Sequence, residues 1–477
     1  MGTRQTSSDL GVSESISEQA ALLRAGETTS RELTERALER AHATQPTLNA
    51  FKLIRDDEAL AAADAADQRI AAGESGSLLG VPTAVKDDMD LAGHATAFGC
   101  LGEFEPCAQD GAVAAALREA GAVIIGKTNT PELGQWSVTA GPAFGITRNP
   151  WNTDHTPGGS SGGAAAAVAG GVIGAAVGSD GAGSVRIPAS WTNLVGIKPT
   201  RGRISTWPDP EAFNGITAIG PLARTVEDAA IMLDALSGSD PRDLHDLPQP
   251  ERPFAESVGA DPGRLRIAVS FKPPFCAVPA KVDPRVRKQT EAVAEALAAL
   301  GHDVVERELN HGFVGVGFTP RSTAGVAEWA NRVPDKSLLD HRTIENVRLG
   351  KLLGAGPVLR FARGWESFTA RRTGQIFKDF DVVLTPTTAA PPLEANALEG
   401  LSGWKSDRLY IGACPMAWPW NVLGWPGINV PAGFVGDLPV GAQLLGQGSS
   451  EPRLIALAAQ LEGAQRWQDQ RPPSFGA

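Results

Sequence analysis

Leu33, Ala37, Leu38 and Ala41 fall on one stripe of a helix, and Thr29-Ser30-Arg31-Glu32 just before them fits a capping box. Residues 58–72 are Ala-rich and helical, and 76–80 close that element with glycines at both ends. The short apolar run 79–85 ends at Lys86, which places the lysine at a strand end. Asp110 is expected to cap a helix through Val113 and Leu117 that stops near Gly121, and 122–125 is an apolar strand. Residues 164–169 then read as a buried helix and 172–177 as a buried strand. Further on, 265–269, 284–300 and 303–305 make a strand–helix–strand unit, and 381–386, 428–430 and 440–445 return to strand. Short apolar strands alternating with helices indicate an α/β sheet. Residues 311–378 are rich in aromatic residues and arginine, with less regular helical patterning, and 248–262 reads as a surface loop. No repeat and no separating linker interrupts this order.

Composition narrows the class. The chain has 477 residues, 42% of them apolar and 20% charged, as in a soluble protein with a large core. Length alone would allow roughly three domains, although α/β folds often hold such a length in one body. The formal charge of −11, with both signs mixed along the chain, argues against a nucleic-acid partner, which needs a basic patch. Cys100, Cys107, Cys276 and Cys414 have no metal-ligand spacing and read as reduced thiols, and no metal is expected. The start, residues 1–17, is polar and Ser-rich without an apolar signal core. No stretch reaches the roughly 18 apolar residues of a spanning helix. A cytoplasmic location without membrane attachment is expected.

The chemistry gathers in three segments. Gly121-Ala122-Val123-Ile124-Ile125-Gly126-Lys127-Thr128 matches the letters of a phosphate-binding loop, but its middle is the apolar strand itself and Pro131 follows instead of a helix. It is set aside. Pro157-Gly158-Gly159-Ser160-Ser161-Gly162-Gly163 has linker composition, yet an Ala-rich helix follows at once, so the glycines sit at a helix start where they permit close approach to a reacting group. Ser184 lies in a second glycine turn, Gly178-Ser179-Asp180-Gly181-Ala182-Gly183-Ser184-Val185-Arg186-Ile187-Pro188. Successive N–H groups from Gly181 to Ser184 could form a nest for a developing oxyanion. A serine hydroxyl needs a base. No Gly-x-Ser-x-Gly elbow surrounds Ser184, and His155, nearest the first loop among seven histidines, reads as a loop residue, although a Ser-His-Asp arrangement need not be local in sequence. Lys86, in Gly80-Val81-Pro82-Thr83-Ala84-Val85-Lys86-Asp87-Asp88, offers another base, since burial disfavours a charged lysine. The structural alternative is a lysine paired with Asp87 or Asp88.

Together these segments resemble the amidase signature family, and the resemblance runs through most of the chain. It implies one amidase signature domain over 1–477, a large mixed twisted sheet with helices on both faces. Within it, 1–75 would be an N-terminal helical region, 76–245 the catalytic core and 311–378 the variable substrate-determining region. It also implies a nucleophile at Ser184, a bridging Ser160 with a cis peptide bond, and neutral Lys86 as the ultimate base. Gly181, Ala182, Gly183 and Ser184 would supply the oxyanion hole, with Ser161, Asp180 and Arg186 supporting the turn. No cofactor is implied. The chain departs from the family pattern at Ala182, at Gly181 and at Asp88, where asparagine is usual. The Ala-Gly-Ser version resembles the branch that cleaves cyclic nylon oligomers. Ile187 stands where the Gln-tRNA amidotransferase subunit has glutamine, which lowers that alternative, a subunit supplying ammonia to a tRNA-linked substrate. The expected partner is a small-molecule amide or carbamate, and the expected assembly a monomer or homodimer. Trp136, Trp207, Trp418 and Trp425 are candidates for a substrate pocket, since pockets are lined by apolar and aromatic groups on loops.

Overall fold

The computed structural model describes residues 15–275, 278 and 280–473. Cys276 and most of the Ser-rich start lie outside the described residues. The strands are β1 (Phe51–Ile54), β2 (Pro82–Lys86), β3 (Val123–Thr128), the short pair β4 (Ala140–Gly141) and β5 (Gly145–Ile146), β6 (Ala175–Asp180), β7 (Val195–Lys198) and β8 (Ala218–Ala223). The second half adds β9 (Arg266–Val269), β10 (Asp303–Glu306), β11 (Val382–Pro386), β12 (Gly427–Val435) and β13 (Leu438–Leu445). All but β4 and β5 join one 11-stranded sheet in the order β1-β3-β2-β6-β8-β7-β12-β13-β11-β9-β10. The sheet is mixed: β3-β2-β6 and β11-β9-β10 are parallel, and the pairs from β6 to β11 are antiparallel.

Successive side chains of a strand point to opposite faces, and the two faces here carry separate cores. Ile124, Val85 and Val177 pack into one, with Leu117, Leu233, Leu297 and Leu457 from helices. Val123, Ile125, Ala84 and Ala176 pack into the other, with Ala41, Ala63 and Val168. Because both faces are covered, the strands read as continuous apolar runs rather than alternating ones.

The N-terminal helix Ser30–Leu48 begins at Thr29, whose hydroxyl accepts from the Glu32 N–H while Glu32 reaches back, so the capping box is present and its apolar stripe is buried. Asp110 is not a cap. The helix Ala112–Glu119 starts at Gly111 without a side-chain cap, and Asp110 instead accepts from the Ala92 N–H and pairs with Arg118. The apolar letters of the phosphate-loop look-alike are strand β3, with Lys127 buried against Asp87 at 3.0 Å.

Residues 311–378 are also more regular than their pattern suggests. They form helices Gly315–Trp329, His341–Leu353 and Gly356–Thr373. Pro320 inside the first, and exposed Leu352 and Phe361 on the second and third, blur the apolar stripe. Pro248 to Pro262 contains a short turn of 3-10 helix, Phe254–Ser257, that buries Phe254. Among the described residues no helix is long and apolar enough to cross a membrane.

Candidate active site

Parallel β2 and β6 are neighbours, with Val85 opposite Val177, so Lys86 and the pair Ser179-Asp180 emerge together at carboxyl strand ends. Sites in such sheets form beyond those ends. The Ser160 loop enters the fully buried helix Gly162–Ala169, whose Gly and Ala residues let it lie close to the sheet. A Cβ on Gly163 would stand 2.4 Å from the Asn129 nitrogen. The Gly159–Ser160 peptide is cis.

The Lys86 side-chain nitrogen is fully buried, and Nζ lies within hydrogen-bond distance of Ser160 Oγ and Ser179 Oγ, both at 2.7 Å. It also lies 3.1 Å from Asp88 Oδ2. Burial pulls Lys86 below the ordinary lysine range, and Asp88 followed by Asp180 opposes this. Asp87 faces away, toward Lys127. Ser184 borders the same cavity as Ser160, and its carbonyl accepts from the Ser161 N–H at 3.1 Å. The Ser161 hydroxyl donates to the Ser179 carbonyl at 3.2 Å, tying the serine loop to β6.

Asp180 and Arg186 shape the turn that carries Ser184. Both are fully buried, and Arg186 meets the carboxylate twice at 3.0 Å. The same carboxylate accepts from the N–H groups of Gly183, Val185 and Arg186. Burial disfavours the Asp180 anion, but the Arg186 guanidinium outweighs it and holds the carboxyl well below the usual carboxylate range. Gly183 has φ +109°, and a Cβ there would meet Ala417 Cβ at 2.5 Å, so the turn requires glycine. The Gly183 amide, expected to face an oxyanion, is thus taken by Asp180 at 2.7 Å. The amides of Gly181, Ala182 and Ser184 have no protein acceptor among the described residues.

Asn421 was not legible in the sequence. It donates to Asp180 Oδ1, the Asp180 carbonyl and the Ile216 carbonyl, and accepts from Arg186 at 2.7 Å. Nothing local in Trp420-Asn421-Val422 marks it, because its partners lie more than 200 residues away. Arg186→Met leaves Asp180 buried without its cation and is expected to cost about 3–5 kcal/mol of stability, read as a lower denaturant midpoint. Because the folded Asp180 value is depressed, the pair stabilises above the ordinary carboxylate range and that contribution is lost as pH falls through the folded value. The gap between wild type and Arg186→Met should therefore be wide at neutral pH and narrow in acid.

The cavity over the serines holds about 940 Å³ of non-protein space, part of it open to solvent. Of the four candidate tryptophans, Trp136 and Trp418 line it, together with Phe213, Phe318 and Trp329, which the sequence does not mark. Trp207 and Trp425 do not. Trp207 stacks under Arg242 at 3.5 Å and borders a second cavity, while Trp425 packs edge-on against Trp420 and Phe377. Of 311–378, only helix Gly315–Trp329 lines the cavity, and the two following helices pack against it. Among the described residues, Asp88 is the one charged residue lining it, and no histidine does. Among the described residues, no group of three His, Cys, Asp or Glu side chains is gathered to hold a metal.

The amidase family model matches residues 32–455. A Mycobacterium tuberculosis protein named "Putative amidase AmiA2" is 54% identical over 93% of this chain and 92% of its own length. Among solved structures, 6-aminohexanoate cyclic dimer hydrolase with bound substrate has a TM-score of 0.88 at 32% identity, covering 97% of this chain and 99% of that one. A bacterial aryl acylamidase of the amidase signature family has a TM-score of 0.85 at 26% identity, with 96% and 97% covered. The match spans both the sheet and the serine–lysine segments, and the chain belongs to the amidase signature family, hydrolases of carbon–nitrogen bonds in non-peptide amides.

Proposed function

We propose that the protein hydrolyses uncharged amides carrying a bulky apolar or aromatic group, through an acyl intermediate on Ser184. Lys86 takes the Ser160 proton as Ser160 takes that of Ser184, and Ser184 attacks the carbonyl. The oxyanion is received by the amides of Gly181, Ala182 and Ser184, and the proton returns to the leaving amine before water deacylates the enzyme. The observation that carries this reading is the fully buried Lys86 at 2.7 Å from Ser160, beside a cavity that Ser184 also lines.

The cavity wall supports the substrate class. It offers Trp136, Phe213, Phe318, Trp329 and Trp418 and, among the described residues, no lining cation to hold a carboxylate. Aryl amides, nylon-type oligomers and urethanes all present an uncharged carbonyl to such a wall, and the solved relatives named above act on a cyclic amide dimer and on aryl acylamides. A panel of anilides, primary amides, aryl carbamates and lactam oligomers tests the proposal: bulky anilides and aryl carbamates should exceed acetamide in kcat/KM. Acetamide as the best substrate would overturn the aromatic pocket. Inactivity of the isolated chain on every amide would instead favour the amidotransferase alternative.

Single tryptophan replacements sharpen the test. Trp136→Leu and Trp418→Leu should lower kcat/KM for a bulky anilide more than for a small amide, by several-fold, because each removes part of the wall. Trp207→Leu and Trp425→Leu should leave that ratio unchanged, since both rings stand outside the cavity. Equal losses on both substrate sizes in all four variants would contradict the assignment.

A further inference from the structure

Asp88 stands where the family usually has asparagine, and its side chain is 2% exposed. Oδ2 lies 3.1 Å from Lys86 Nζ and accepts from Ser179 Oγ at 2.5 Å, while Ser179 accepts from Lys86 at 2.7 Å. Oδ1 is buried with no donor among the described residues. Asp88 borders the substrate cavity on one side and a second cavity, with Asp90, Asp209 and Arg332, on the other. A carboxylate so placed beside an unprotonated lysine would be a buried, uncompensated anion, a costly state. One proton held between the two groups removes that cost.

We propose that Asp88 is the end of the proton relay, acting through Lys86 as a positioning residue, so that the proton leaving Ser184 comes to rest on the Lys86–Asp88 pair rather than on Lys86 alone. This rests on the acyl-transfer reading above. Ser184 Oγ forms its bond to the carbonyl carbon as its O–H breaks, and the carbonyl π electrons become the oxyanion lone pair. Ser160 gives its proton to Nζ and takes that of Ser184. The pair then holds two protons, one on Nζ and one on Oδ2, the second delivered directly or through the Ser179 hydroxyl. On collapse the C–N electrons go to nitrogen, and one proton returns to it along the same path.

The surrounding charges are few. Asp180 on β6 favours a proton on Lys86. Asp87 is engaged by Lys127 at 3.0 Å, and Asp209 across the second cavity by Arg332 at 2.9 Å, leaving Asp90 and the far side of Arg332 as the other charges that face it. Wild-type activity needs only one of two coupled sites to be unprotonated, whereas an enzyme with asparagine needs Lys86 itself neutral.

The experiment is the pH dependence of kcat/KM for the full-length Asp88→Asn variant with an uncharged anilide. The acidic limb should move to higher pH by about one unit or more, with the alkaline plateau retained. A limb that stays put, or one that moves to lower pH because Asp88 merely held Lys86 protonated, would overturn the proposal. Should Asp88→Asn be inactive throughout, infrared spectra of the wild-type trifluoromethyl ketone adduct at mildly alkaline pH decide it. A protonated-carboxyl band that shifts on 13C-aspartate labelling is expected, and its absence overturns the relay. Failure of the acyl-transfer reading would show separately, as turnover that survives Ser184→Ala.

Discussion

Ser184→Ala is expected to reduce turnover by about 10⁶-fold, the scale seen when a serine nucleophile is removed from a preorganised site. The change deletes one hydroxyl at a cavity wall and leaves the turn's supports intact, because these run through the Asp180 carboxylate and the Ser184 carbonyl. Thermal stability should therefore stay near wild type while labelling by a fluorophosphonate or sulfonyl fluoride disappears. Retained turnover with covalent labelling at another serine would remove Ser184 from the role of nucleophile.

Lys86→Ala is expected to be the next most damaging change, by roughly 10²–10⁴-fold at neutral pH, the usual contribution of a positioned base. The deficit should shrink as pH rises, because hydroxide from solvent can stand in for the missing base. Wild-type kcat/KM should rise through an apparent pKa well below the ~10.4 of a free lysine, in keeping with the direction in which burial moves Lys86. An unchanged rate and profile in Lys86→Ala would return the search for a base to other residues. The histidines would be poor replacements, since none lines the cavity.

Local signals carried most of the fold and marked out the serine and lysine segments that the fold brings together. The capping box at Thr29, the apolar runs of β2, β3 and β6 and the two glycine turns are each written within a dozen residues, so periodicity and turn chemistry expose them. Asp110 misled because an acidic residue before a helix also serves as an ion-pair partner, here for Arg118. Helices Gly315–Trp329, His341–Leu353 and Gly356–Thr373 were obscured because an internal Pro320 and exposed apolar residues such as Leu352 and Phe361 break the expected stripe.

The pocket wall was legible only in part. Four tryptophans were candidates on residue type alone, and type cannot tell a ring facing a cavity from one stacked under Arg242 or against Trp420. Phe213, Trp329 and Asn421 reach the site through contacts distant in sequence, which no local pattern records. The amide of Gly183 shows the same limit at atomic scale. The turn's run of N–H groups is visible in the sequence, but the demand of the Asp180 carboxylate on the Gly183 amide emerges only when the chain is folded.

The most direct test of the central claim is to capture the acyl-enzyme. Wild-type protein turning over a slowly deacylating anilide or aryl carbamate, quenched in acid, should carry the mass of the acyl group, and peptide mapping should place it on Ser184. An adduct on a different residue, or turnover with no covalent adduct under conditions where deacylation is rate-limiting, would contradict the account.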